Sequence, residues 1–259
     1  MKKIILLALL GIGLLNSCQE KNTNKNTGEF PITYEKKHVF VKDETCKDEL
    51  EKCTRVDVEY YEFAEPRGYI ANLQTSQMIE FISGLPISDS VVPAELTANA
   101  LLERYTGFIN DFPDSKQYWS VSMKSQITYK SDKLLSIEML TGSYLGGAHG
   151  DFRRSFLTID SEGNRVHVID FISDVKKFAE LAEKKFRKLE GLKKDQHLNS
   201  TGYFFPDGKF ILPEGIGLNE EGFVLYYNVY EIAPFYIGGT EIILSFDELE
   251  GIIKKPFFQ

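Results

Sequence analysis

Polar and apolar positions change period several times along this chain, and each change marks an element. Residues 32–42 (ITYEKKHVFVK) and 54–63 (TRVDVEYYEF) alternate or are rich in β-branched and aromatic side chains, which predicts two strands flanking the segment CKDELEKC. Residues 73–85 (LQTSQMIEFISGL) and 93–112 (PAELTANALLERYTGFINDF) read as helices, the second with Pro93 in its first turn and Pro113 just past its end. Three longer strands are predicted in residues 117–132, 133–147 and 149–163, joined by turn-forming Ser, Asp, Gly and Asn clusters as an antiparallel meander. The clearest helix lies in residues 173–192, where Val175, Phe178, Leu181, Ala182 and Phe186 recur at helical spacing and Gly191 supplies a stop. Residues 222–235 (GFVLYYNVYEIAPF) and 240–246 (TEIILSF) read as strands around a turn at Gly238 and Gly239, with a short terminal helix in FDELEGII. This order of elements predicts an α+β fold of antiparallel sheets with packed helices. Two closely associated subdomains are expected, residues 31–150 and 151–259.

The first residues follow a different pattern. Lys2 and Lys3 precede an apolar run from Ile4 to Leu15, which meets Asn16, Ser17 and Cys18. A membrane-spanning helix needs about 20 apolar residues and a signal peptide about 7–15, so residues 1–17 read as a signal peptide. LLNSC resembles a bacterial lipobox, which makes Cys18 the expected lipidated residue; the alternative is an ordinary secretory signal carrying an incidental cysteine. Residues 18–30 are polar and Asn-rich, a composition that predicts a flexible tether. Gln19 offers no inner-membrane retention signal. A membrane-anchored lipoprotein is therefore expected, on the periplasmic side or cell surface with the outer membrane favoured, touching the membrane through its lipid alone.

Charge narrows the partners. The chain carries 30 basic and 38 acidic residues, a net charge of −8, and cleavage before Cys18 would remove two lysines and no acid, leaving −10. Nucleic acid demands clustered Lys and Arg, so it is not an expected partner. A cationic protein suits the balance better. With Cys18 assigned to lipid, Cys46 and Cys53 remain, and outside the cytosol they read as a disulfide. On an intact helix residues seven apart would stand about 10 Å apart along the axis, so the segment must fold back. The alternative is a metal site completed by His38, for which no fourth ligand has recognisable spacing. No cofactor is expected.

YLGGAHGDF, residues 144–152, sets His149 among Gly146, Gly147 and Gly150. His149 with Asp151 could serve as a general base, the glycines could form a turn with positive φ, or the histidine could touch a partner. Two side chains on one strand share a face without the convergence a catalytic triad requires, and no G-x-S-x-G, H-E-x-x-H or Cys-x-x-Cys motif is present. The turn is the expected reading. Tyr226, Tyr227, Tyr230, Phe235 and Tyr236 read mainly as core, with one face left to stack on sugars or to anchor a protein.

The segments CKDELEKCTRVDVEYYEF, YLGGAHGDF and YNVYEIAPFYIGGTEIILSFDEL resemble the extracytoplasmic region of the RsiV-like family. That region is a pair of domains of unknown function, found also as the accessory N-terminal region of PdaC-type peptidoglycan deacetylases. The resemblance implies an α+β ectodomain that binds lysozyme in the anti-sigma branch and accompanies a cell-wall enzyme in the deacetylase branch. RsiV-like anti-sigma factors carry a cytoplasmic segment and a spanning helix where this chain has a signal peptide, so no sigma factor is expected to be held. A deacetylase domain is not expected either. The expected function is a lipid-anchored envelope protein that binds a protein (lysozyme-like) or glycan ligand, with His149, Tyr230, Glu231 and Tyr236 as candidate contacts. The alternatives are a peptidoglycan-acting enzyme without a recognised motif and a structural envelope component.

Overall fold

Strands β1 (Tyr34–Lys42) and β2 (Arg55–Phe63) pair antiparallel along their whole length in the computed structural model, which describes residues 29–44, 46 and 52–254. The expected signal peptide (1–17), Cys18 and the tether as far as residue 28 lie outside the described residues. The connection between the two strands is stapled by the Cys46–Cys53 disulfide, with Cα atoms 5.6 Å apart. Both sulfurs are thereby taken. His38, the third ligand of the metal alternative, instead places Nε2 2.8 Å from an Asp57 carboxylate oxygen.

From β2 the chain leaves the sheet through α1 (Tyr69–Ile82) and α2 (Ala94–Asp111) and returns as β3 (Ser120–Lys130). Because it comes back from a long helical crossover, β3 lies parallel to β2, from Arg55 opposite Ser120 to Glu59 opposite Lys124. A run of antiparallel predictions misses this one junction, since direction depends on the connection and not on the strand's own pattern. β4 (Leu134–Tyr144) and β5 (Asp151–Asp160) complete the expected meander, giving the order β1-β2-β3-β4-β5. The helices cover one face. Ala71, Ile79, Ile82, Ala98 and Leu101 pack there on Val56, Val58, Met123, Ile137 and Leu157.

The second core is built on α3 (Val175–Leu189) and the antiparallel strands β6 (Gly215–Leu218), β7 (Gly222–Tyr227) and β8 (Thr240–Ser245). Asp174 caps α3 by accepting the Lys177 N–H at 2.9 Å, and Phe178, Ala182 and Phe186, one turn apart in succession, are fully buried. Each phenylalanine buried in this way contributes roughly 2–3 kcal/mol through apolar surface removed from water. Val175, on the predicted apolar face, is exposed.

The two cores share a seam. β5 follows residue 150, yet it is the outer strand of the first sheet, and Leu157 and Ile159 belong to the first core. Leu134 of β4, conversely, belongs to the second. At the end of β6 the Leu218 N–H donates to the buried Ser136 hydroxyl at 3.3 Å, and its carbonyl accepts from Thr128 at 2.6 Å. A side chain at Gly217 would meet the Phe156 ring 2.2 Å away, so glycine there lets β6 ride directly on β5.

Two local expectations are revised and one strand was not expected. The strand predicted for residues 222–235 ends at Tyr227, because Tyr230 takes a positive φ of 67° and the chain turns through Ala233 and Pro234. FDELEGII forms successive turns instead of a helix: Gly251 has φ 82°, and Ile253 is held in a bridge to Ile172. β6, four residues with two glycines, had no periodic signal at all.

Candidate functional site

Two segments about eighty residues apart in sequence meet at one end of the seam. The first is the β4–β5 connection, residues 145–150. Gly146 (φ 90°) and Gly147 (φ 114°) adopt backbone that other residues rarely take, which turns the hairpin, whereas Gly150 does not have positive φ. Tyr144 donates its hydroxyl to the Gly147 carbonyl at 3.1 Å, and His149 donates Nδ1–H to the Gly150 carbonyl at 3.1 Å.

The second segment is residues 228–239. Asn228 works as a surrogate strand: its side-chain oxygen accepts the Arg154 N–H at 2.8 Å while its amide donates to the Arg154 carbonyl at 3.1 Å. The same pair of hydrogen bonds recurs between Asn72 and Phe63 and between Asn199 and Phe205. Glu231 braces the turn from within. Its carboxylate accepts the Asn228 and Glu214 N–H groups, one on each oxygen at 2.9 Å, so this residue shapes the segment. Gly238 has φ 81°, and Gly239 leaves room for the Tyr226 hydroxyl, 2.0 Å from where a Cβ would stand.

Together these segments make a ring cluster. The His149 ring centroid lies 5.6 Å from Phe235 and 6.3 Å from Tyr230, and Tyr230 lies 5.9 Å from Phe235. Tyr230 is 54% exposed, Phe235 44% and Tyr236 81%. Of the five aromatic residues expected mainly in the core, only Tyr227 is fully buried, and Tyr226 lies beneath the Arg154 guanidinium, 4.9 Å from its ring. Burial, with Glu231 nearby, pushes the Tyr227 hydroxyl well above the usual tyrosine range, and it donates to the Ile211 carbonyl. Arg154 pairs with Glu138 and Glu241. Burial alone would lower its pKa, but the hydrogen bond to Glu241 and the Glu138 charge outweigh it and raise the value.

His149 and Asp151 do not form a dyad: Asp151 accepts from Arg153 Nε at 2.9 Å, and His149 Nδ1 bonds the Gly150 carbonyl. No group of three or more His, Cys, Asp or Glu able to hold a metal occurs among the described residues. What the cluster offers chemically is an exposed aromatic platform with an imidazole in it. Phe235 was absent from the expected contacts, although it lies in the same aromatic run as Tyr230 and Tyr236 and that run was the available signal.

Residues 170–247 match the family described as "Protein of unknown function (DUF3298)". The matched stretch runs from just before α3 to just after β8 and contains Tyr230, Phe235 and Tyr236. Among solved structures, the chain is similar to a DUF3298 family member from Bacteroides fragilis, with TM-score 0.62 and 20% identity over 88% of this chain and 95% of that one. It is similar also to a DUF3298 family protein from Pseudomonas aeruginosa, with TM-score 0.58 and 22% identity over 87% of this chain and 95% of that one. At such identities the shared property is the fold. No curated protein matches the sequence.

Proposed function

We propose that this is a lipid-anchored binding protein of the bacterial cell envelope, whose protein or glycan ligand docks on the platform of His149, Tyr230, Phe235 and Tyr236. The observation that carries the reading is the ring cluster itself, three mutually touching rings left exposed at the meeting of both subdomains. Exposed aromatic rings stack on sugar faces and anchor protein interfaces at little entropic cost. The left-handed Tyr230 adds to this, because such backbone costs on the order of 1–3 kcal/mol and persists only where the surroundings enforce it. LLNSC and the resemblance to RsiV-like ectodomains support the anchor and the envelope setting. Excess negative charge supports a cationic protein such as lysozyme, which would be steered toward the surface.

Titration of residues 30–259 against lysozyme and against soluble peptidoglycan fragments, each at low and physiological salt, tests the reading. A ligand should bind more tightly than about 100 μM, and Tyr230→Ala combined with Phe235→Ala should weaken it about tenfold or more. Failure of both ligands to bind, or binding matched by any unrelated basic protein at low salt alone, removes the proposal. For the anchor, Cys18→Ala should abolish incorporation of labelled fatty acid, and unchanged labelling refutes it.

A further inference from the structure

Between the two cores the protein leaves a cleft of about 580 Å³, a volume suited to a small ligand. Met78 and Phe81 of α1 form one wall, β5 another, and the stretch leading into β6 a third. None of the platform rings lines it, so the cleft is a separate feature.

Three of the chain's seven arginines face this space. Arg154 pairs with two carboxylates, Glu138 and Glu241, and its charge is more than offset. Arg153 keeps only the exposed pair with Asp151, a kind of contact worth little, and sits 6.0 Å over the Phe81 ring. Arg165 donates to the uncharged side-chain oxygen of Gln74 at 2.7 Å and forms no ion pair among the described residues. Glu214 is the one carboxylate in the wall. Arg165 is thus the cation of this wall that no carboxylate pairs among the described residues.

The backbone supplies a second observation. β5 is an outer strand, so alternate N–H and C=O groups point away from β4. Those of Arg154 are closed by Asn228, and the Thr158 carbonyl accepts the Val166 N–H at 2.9 Å. Phe156 lies between them in the wall, and its outward N–H and C=O have no partner among the described residues. An open strand edge next to an unpaired cation and an apolar surface offers each of the three parts of an extended acidic peptide a matching group.

We propose that the cleft binds a short acidic peptide in extended form. Its backbone pairs with Phe156, its carboxylate engages Arg165 with Arg153 nearby, and an apolar side chain rests on Met78 and Phe81. The experiment titrates N-acetyl-Leu-Val-Glu into the purified full-length chain calorimetrically and follows amide hydrogen exchange in residues 153–158. Saturable binding below about 1 mM is expected, with slowed exchange in that strand. Arg165→Gln, or replacement of the probe's carboxylates by amides, should weaken binding about tenfold, and Arg165→Lys should restore part of it. Arg153→Gln, at an exposed position where folding is not at stake, should weaken it less, and Phe235→Ala should leave it unchanged, which separates this site from the platform. Absence of binding, equal affinity for the amidated probe, indifference to both arginine variants, or equal binding of hexanoate without a peptide backbone overturns the proposal.

Discussion

Asn228→Ala removes two hydrogen bonds at once, because one side chain satisfies both the N–H and the C=O of Arg154 at 2.8 and 3.1 Å. A hydrogen bond contributes a net of about 1 kcal/mol, and the abandoned backbone groups sit in a half-buried region where water recovers part of the loss, so the expected destabilisation is about 2 kcal/mol. For a folded unit of this size that lowers the melting temperature by about 4–8 °C. Asn228→Asp should be at least as harmful: it keeps an acceptor for the N–H but sets a carboxylate oxygen against the Arg154 carbonyl. Urea unfolding at pH 7, followed by circular dichroism, measures both variants, and hydrogen exchange should report lost protection at the Arg154 amide. Asn72→Ala serves as the internal comparison, since Asn72 makes the same pair of bonds to Phe63 at 2.8 and 2.9 Å. If Asn228→Ala falls within about 0.5 kcal/mol of wild type, or Asn228→Asp matches wild type, the surrogate-strand role is refuted.

Replacing both Cys46 and Cys53 with serine should cost about 2.5 kcal/mol from the loop-closure entropy returned to the unfolded chain, read by the same denaturation, and unaltered stability would count against the staple. Gly147→Ala, at φ 114° with nothing within 4 Å of the added Cβ, should destabilise by about 1–2 kcal/mol through backbone strain alone, and a neutral result would contradict the turn geometry. The hydrogen bond from Lys185, aided by Ser245 and opposed by slight desolvation, holds the Glu248 carboxyl below its ordinary 4.5. A carboxyl depressed on folding stabilises above the unfolded value and loses that contribution as pH falls through the folded one, so Glu248→Gln should flatten the fall in stability below about pH 4.5, and parallel curves for both proteins would disprove the linkage.

The elements with a strong internal period were legible in the chain. The apolar spacing of Phe178, Ala182 and Phe186 marked α3, and alternation marked β1, β2 and the meander. β6 was not legible, because GIGL carries no alternation of polar and apolar residues of its own and is held by its ladder to β7 together with Ser136 and Thr128, which are distant in sequence. The strand predicted through residue 235 and the terminal helix failed for a related reason. Their local preferences yielded to Tyr230 and Gly251, whose positive φ values belong to the turns that tertiary contacts require.

At the candidate site the division is similar. The Cys46–Cys53 pairing and the glycine turn before His149 depend on short separations, and short separations are what composition and spacing report. The stacking of His149 on Tyr230 and Phe235, the bracing by Glu231, and the choice of Asn228 as partner of Arg154 across 74 positions are different in kind. An asparagine in a loop carries the same letter whether it faces water or completes a distant strand. Which of these it does was decided only when the two sheets stacked, because the energy of a side-chain contact depends on distances in space, and the hydrophobic period of each element constrains which face is buried but not what is buried against it.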